Sequence, residues 1–304
     1  MKWRKHGLIY APTGELWWAQ SHAHLPTVDI IDESVIRVYF ASLDNNKYGR
    51  IGYVDLDIRD PNRILYVSKE PILSVGELGT FDDCGTVPSC VVTLNNMKYM
   101  YYVGFQRTER VPYMLFTGLS TSPVNSLEFK RFSRTPILDR SKEEPFSRSA
   151  AYVIFDDNMF KMWYWSCVEW TQADNLTHYN NVIRYATSRD GIYWQTHPHI
   201  CIEPRFPDEY SIGRPCVIKE QRVYKMWYSI RSFSKLYAIG YAESSDGIHW
   251  ERKDNEAGIE TSQTGWDSEM ICYPVVVDIN GKKHMFFNGN RHGATGFGFA
   301  TQEA

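Results

Sequence analysis

The run Lys161-Met-Trp-Tyr-Trp-Ser (161–166) returns almost unchanged as Lys225-Met-Trp-Tyr-Ser-Ile (225–230). Looser copies stand on either side: VYFAS at 38–42, YMYYVG at 99–104 and HMFFNG at 284–289. The aromatic pairs at their centres are Tyr39-Phe40, Tyr101-Tyr102, Trp163-Tyr164, Trp227-Tyr228 and Phe286-Phe287, spaced by 62, 62, 64 and 59 residues. A period of this length marks a repeat architecture. Twelve or thirteen residues before each pair lies a second apolar run, beginning at Pro26, Pro88, Ala150, Pro215 and Pro274. Turn residues such as Asn95-Asn96, Asp156-Asp157-Asn158 and Asn280-Gly281 separate the two runs, as a hairpin requires.

A third run follows each pair, from RIGYVDLD at Arg50 to GFGFATQ at Gly296, and a fourth completes every unit except the last. After GFGFATQEA the sequence stops, but Trp3-Arg-Lys-His-Gly-Leu-Ile-Tyr10 has the shape of the missing strand. The expected fold is therefore all-β: a five-bladed β-propeller with four antiparallel strands per blade, closed by an N-terminal strand (about 2–11) as the outer strand of the last blade. Residues 1–304 form one domain on this reading. A β-sandwich or a row of small sheets competes with it, but neither explains the displaced strand.

Composition agrees. Aromatic residues make up 15% of the chain, with only 20 Gly and 14 Pro, which favours strands. The net charge of −3 argues against a general nucleic-acid binder. No stretch has the apolar length of a membrane span, and MKWRKHGLIYAP lacks a signal-peptide core, so a cytoplasmic location is expected. Six scattered cysteines without a CxxC pair read as reduced core thiols, Cys84 being the one to watch. No cofactor or structural metal is called for, and Gly293–Gly298 precedes a strand rather than a helix, so it fails as a nucleotide loop.

Ser188-Arg-Asp-Gly-Ile-Tyr-Trp194 and Ser244-Ser-Asp-Gly-Ile-His-Trp250 share the form S-x-D-G-I-x-W, a tight turn entering the fourth strand. Together with the five repeats, this resembles the five-bladed glycosidase superfamily that includes glycoside hydrolase families 43, 32, 62, 117 and 130. The resemblance covers the whole chain and is carried by framework positions. It implies a site at the propeller's axial mouth, where innermost strands begin and second strands end. Those positions hold His22, His24, Asp82, Asp83, Arg148, Arg214, Asp267 and Glu269 before innermost strands. After second strands come Asp44, Arg107, Glu169, Arg231 and the run Asn288-Gly-Asn290-Arg291-His292.

Family 43 resemblance would imply an acid in the first blade and a Glu in the third. Here those places read Ser21-His-Ala-His24 and Ser147-Arg148-Ser149. Glycoside hydrolysis normally uses two carboxyl groups, and the remaining pair is Asp83 or Asp82 with Glu269. The alternative for Asp82, Asp83 and Asp267 is turn capping. His24 and His22 stand where the acid is missing and could serve as base or hydrogen-bond donors, or as structural histidines. Arg107, Arg148, Arg214, Arg231 and Arg291, with Asn290 and His292, suit recognition of a carboxylate or phosphate. Ion pairing with loop acids is the competing role. The leading expectation is an enzyme cleaving or transferring a glycosidic bond on an anionic or phosphate-linked small sugar or oligosaccharide. A non-catalytic glycan-binding propeller, an interaction propeller, a phosphorylase and a sialidase-like enzyme are the rivals.

Overall fold

The computed structural model describes residues 1–173 and 176–303. Its strands are β1 (Trp3–Tyr10), β2 (Ser21–Ile30), β3 (Val35–Leu43), β4 (Gly49–Asp57), β5 (Asp60–Val67), β6 (Gly85–Leu94), β7 (Met97–Arg107), β8 (Tyr113–Pro123), β9 (Lys130–Arg131) and β10 (Arg148–Asp156). They continue with β11 (Met159–Ala173), β12 (Leu176–Ser188), β13 (Gln195–Ile202), β14 (Glu209–Glu220), β15 (Val223–Ser232), β16 (Tyr237–Ser244), β17 (Glu251–Arg252), β18 (Cys272–Ile279), β19 (Lys282–Asn288) and β20 (Phe297–Gln302). Antiparallel pairing sorts them into consecutive sets: β2–β5, β6–β9, β10–β13, β14–β17, and β18–β20 with β1. β1 runs beside β20 from Trp3↔Gln302 to Tyr10↔Phe297.

Strand alternation explains the aromatic pairs. Neighbouring side chains on a strand point to opposite faces, so each pair reaches both neighbouring sets. All ten aromatics are fully buried. Tyr101 packs in one cluster with Tyr164 of the following set, and Trp163 in another with Tyr228. Trp227, Phe286, Phe287 and Phe40 share a cluster that draws on the fourth, last and first sets. Each such burial contributes roughly 2–3 kcal/mol.

Backbone bridging is sparser than the ring read from the sequence. One parallel bridge joins each of three junctions, Gly49↔Gly85, Phe116↔Arg148 and Asn181↔Ser211, while the set containing β1 is a sheet of its own. The hydrogen-bonded path is therefore not closed. The sets meet through side chains on their faces, and face-to-face packing needs no shared ladder.

The S-x-D-G turns tie sets together. Asp190 Oδ1 accepts from the Ile192 and Tyr193 amides at 2.9 and 3.0 Å, while Gly191 takes φ 75°. The Gly191 carbonyl then accepts the Tyr101 hydroxyl at 2.9 Å, from the preceding set. In the next copy the Gly247 carbonyl accepts Trp163 Nε1 at 2.7 Å. A side chain at Gly191 would meet both this strained φ and the Tyr101 hydroxyl.

Candidate functional site

The innermost strands carry an irregularity that positions the site. Leu25 in β2, Ala150 in β10, Arg214 in β14 and Tyr273 in β18 all have φ between 48° and 56°. Each coincides with a register shift against the next strand. These are β-bulges, which re-aim a side chain, and all four residues line one cavity of about 590 Å³. A left-handed non-glycine residue costs roughly 1–2 kcal/mol, so the fold carries this strain at the cavity wall in four separate strands.

The wall is cationic. It includes Lys47, Arg107, Arg214 and Arg231, three histidines (His22, His24, His292), and the aromatic rings of Phe105, Tyr113, Trp165, Tyr179, Tyr237 and Tyr273. Among the described residues, no Asp or Glu lines it. Arg231 lies between the rings of Tyr179, Tyr210 and Tyr237, 5.2–5.4 Å from each centroid, and donates to the Tyr179 hydroxyl. Arg107 stacks over Tyr48 and donates to the Asn46 and Lys47 carbonyls at 2.9 Å.

Arg214 is 2% exposed. Its Nη2 donates to the Pro26 carbonyl at 3.2 Å and Thr27 Oγ1 at 3.1 Å, while Nε and Nη1 are buried without a partner. Burial pushes its pKa down, yet a guanidinium stays charged. A buried, unpaired charge costs several kcal/mol, and an anion in the cavity would remove that cost.

Burial disfavours the charged form of all three histidines. Burial, then the nearby His292, His22 and Arg214, lowers the His24 pKa well below the ordinary value. Burial and Lys47 lower that of His22, and burial with Arg231 and His22 takes His292 down to about 4. Neither ring nitrogen of His24 has a protein partner among the described residues, and Nε2 is buried.

The wall thus unites His22, His24, Arg107, Arg214, Arg231 and His292, but the other candidates lie elsewhere. Asp82 is buried off the wall, accepting from the Tyr102 hydroxyl at 3.0 Å, Arg131 Nε at 2.7 Å and Thr80 Oγ1 at 3.0 Å. The same acid–tyrosine–arginine arrangement recurs with Glu144, Tyr164 and Arg148, and with Asp254, Tyr228 and Arg252. In each, the acid satisfies a buried hydroxyl of the aromatic pair. Asp82 is therefore a framework acid, and Arg148, bound to Glu144 at 3.1 Å, is not free for a ligand.

Asp83 Oδ2 accepts from the Gly79 amide at 2.9 Å; only its neighbour Cys84 reaches the wall. Glu269 is about half exposed, 4.0 Å from exposed Arg291. Asn290 is buried and pins the same loop, accepting from the Glu269 amide at 2.8 Å and donating to the Gly265 carbonyl at 3.1 Å. Asp267 pairs with Lys5 and Asp44 with Arg50, while Glu169 is exposed. Sequence reasoning missed Tyr273, Tyr237, Tyr179, Trp165 and Lys47. The x-Pro step at Leu25-Pro26, Arg214-Pro215 and Tyr273-Pro274 follows three of the four bulged residues and would have pointed to Tyr273.

No family model matches the chain. Uncharacterized protein MT1551 of Mycobacterium tuberculosis (strain CDC 1551 / Oshkosh) is 38% identical over 304 residues, 100% of both chains, and Rv1502 of strain ATCC 25618 / H37Rv aligns equally far at 38%. The chain belongs to their family. A 1,2-β-oligomannan phosphorylase of Thermoanaerobacter sp. (strain X514) is 40% identical over 72 residues, 22% of this chain and 23% of that enzyme. Among solved structures, a glycoside hydrolase superposes with TM-score 0.78 at 19% identity, covering 99% of this chain and 92% of the other. A thermostable family-43 glycoside hydrolase gives 0.69 at 18%, with 95% and 90% covered. A structure from work on mannoside phosphorylases and hydrolases of family 130 gives 0.70 at 14%, with 99% and 93% covered. The chain thus shares a propeller-like, nearly all-β fold with these glycoside hydrolases.

Proposed function

We propose that the protein is a carbohydrate-active enzyme that cleaves or transfers a glycosidic bond of an anionic or phosphate-linked sugar. On this reading the strand sets are five blades of one domain, and the bulged strands surround the axial mouth. The observation that carries it is Arg214, a buried guanidinium with two unpaired nitrogens on a wall with no described carboxylate. Aromatic rings beside the cations suit sugar faces, as guanidinium groups suit phosphate or carboxylate. The partial similarity to an oligomannan phosphorylase supports phosphate as a participant.

Calorimetric titration with inorganic phosphate, hexose 1-phosphates, hexuronates and neutral oligosaccharides tests the reading. Binding of an anionic sugar that Arg214→Met abolishes is the expected result, and binding of neutral glycans alone refutes it. A second reading, a glycan-binding propeller without catalysis, is favoured by the missing wall carboxylates. It predicts tight binding without conversion of any of these compounds.

A further inference from the structure

We infer that the anionic sugar enters the site as a nucleoside diphosphate sugar, its base stacked on a shelf formed by Tyr210 and Phe233 outside the cavity. The inference rests on the anionic-sugar reading and names what the sugar's anion is joined to. The shelf is a fixed continuation of the cavity wall. Tyr210 in β14 and Phe233, directly after β15, have ring centroids 4.7 Å apart, and His178 in β12 packs against both at 6.3 and 6.0 Å. None of the three lines the cavity itself. Phe233 is 63% exposed, yet its place is set: its amide donates to the Asp208 carbonyl at 3.0 Å, and the Ser234 amide and hydroxyl bind the Asp208 carboxylate at 2.8 and 2.6 Å. An apolar ring stabilises a fold by leaving water, so a ring anchored in water serves something other than the fold. Nucleobases stack on aromatic rings and on guanidinium planes, and both stand here.

Arg231 joins the shelf to the cavity. Its guanidinium lies 5.4 Å from the ring of Tyr237, on the wall, and 5.2 Å from the ring of Tyr210, on the shelf. Among the described residues its partners are the Tyr179 hydroxyl and tyrosine rings, with no carboxylate in ion-pair reach. A ligand that runs from cavity to shelf therefore passes an uncompensated cation on its way. The order of cavity, cation and aromatic shelf matches the order of sugar, diphosphate and base in a nucleotide sugar. A hexose 1-phosphate ends at its phosphate and leaves the shelf bare. A neutral oligosaccharide can lie on the rings but brings Arg231 no charge to meet. A glycine-rich phosphate loop is not required, because guanidinium groups hold phosphate oxygens directly.

The test is calorimetric titration with UDP-glucose, UDP-galactose and GDP-mannose, each set against its own hexose 1-phosphate, and with neutral mannotetraose. At least one nucleotide sugar should bind about 10-fold or more tighter than its hexose 1-phosphate, the gain of one stacked base. Phe233→Ala should lower that nucleotide sugar's affinity about 5-fold or more and leave the hexose 1-phosphate within about 2-fold of wild type. Phe233 is exposed, so its truncation spares the fold, and Tyr210→Leu, read the same way, checks the second ring. Equal affinity for nucleotide sugars and hexose 1-phosphates overturns the inference and leaves the anionic-sugar reading standing. A nucleotide gain that neither variant reduces overturns the shelf. A mannotetraose affinity that Phe233→Ala lowers, with no nucleotide gain, gives the shelf to a sugar ring instead. Binding of no anionic sugar overturns both readings.

Discussion

Two buried arginines with different surroundings should respond oppositely to the same substitution. Arg148→Met removes the nearer of Glu144's two arginine partners, leaving Arg184 at 3.7 Å from a carboxylate with side-chain exposure of only 6%. Loss of one member of a buried pair costs roughly 3–5 kcal/mol. Tyr164 and Ser166 still donate to Glu144, both at 2.8 Å, which places the expected loss near ~3 kcal/mol. Arg214→Met removes two hydrogen bonds to neutral acceptors, worth roughly 1.5–3 kcal/mol each when the donor is charged. It also removes two orphaned N–H groups, which cost about 1–3 kcal/mol each, and the desolvation penalty of a charge, several kcal/mol more. The ligand-free variant should be as stable as wild type or about 1–2 kcal/mol more stable, a rise in Tm of roughly 2–4 °C. The ligand response should invert the order. A hexose phosphate at about 100 times its Kd stabilises wild type by ~2.7 kcal/mol, and should not stabilise Arg214→Met. Differential scanning calorimetry with and without ligand reads both effects. If Arg214→Met loses as much stability as Arg148→Met, or keeps the ligand response, the reasoning is refuted.

Asp82→Asn should destabilise by roughly 2–4 kcal/mol in chemical denaturation, because Arg131 and Tyr102 lose a buried carboxylate, while calorimetric affinity for hexose phosphate stays unchanged. Asp83→Asn and Glu269→Gln, both off the wall, should each retain at least about half of wild-type activity on the glycosidic bond, since a lost general acid or base would cost 100-fold or more; a loss of that size in either would restore a carboxylate mechanism. Burial pushes the Asp156 carboxyl up, but hydrogen bonds from Lys161, Lys219 and Tyr224 outweigh it and hold its pKa below the usual carboxylate range. This folded-state depression stabilises above the unfolded value of about 3.9, and the stabilisation is lost as pH falls. The stability gap between wild type and Asp156→Asn should therefore be full above about pH 5 and narrow below it.

The repeat was legible because each aromatic pair must face two neighbours at once, a demand that fixes residue type at a constant spacing. The S-x-D-G turns were legible for a similar reason: their chemistry is local, an Asp accepting from amides two and three residues on. The acids are ambiguous in the sequence because framework and catalysis use the same residue types at the same ends of strands. Asp82 stands where a catalytic acid could stand, and only its contacts with Tyr102 and Arg131 reveal its role. Those partners lie 20 and 49 residues away, beyond any local pattern. The bulges were hidden because none carries the glycine that usually announces a positive φ. Arg148 and Arg214 look alike in sequence, but Arg214 sits at a bulge on the cavity wall, the place Ala150 takes in its own strand, while Arg148 lies off the wall and is reached by Glu144.

The pairing of β1 with β20 has a mechanical consequence. The two strands are antiparallel, with Trp3 opposite Gln302, and Lys2 and Glu303 form an ion pair at 2.8 Å beyond them. Both ends of the described chain thus emerge at the same end of one ladder. A force drawing them apart acts across the strands, so it loads the cross-strand hydrogen bonds one after another, like a zipper, instead of sharing the load along a shear plane. The molecule should yield first at this seam, at low force, freeing β1 and baring the edge of β20 while the other sets remain folded. A bare strand edge is a template for another chain. A short linker that ties the two ends together should block that opening, and the same geometry makes the linker easy to build.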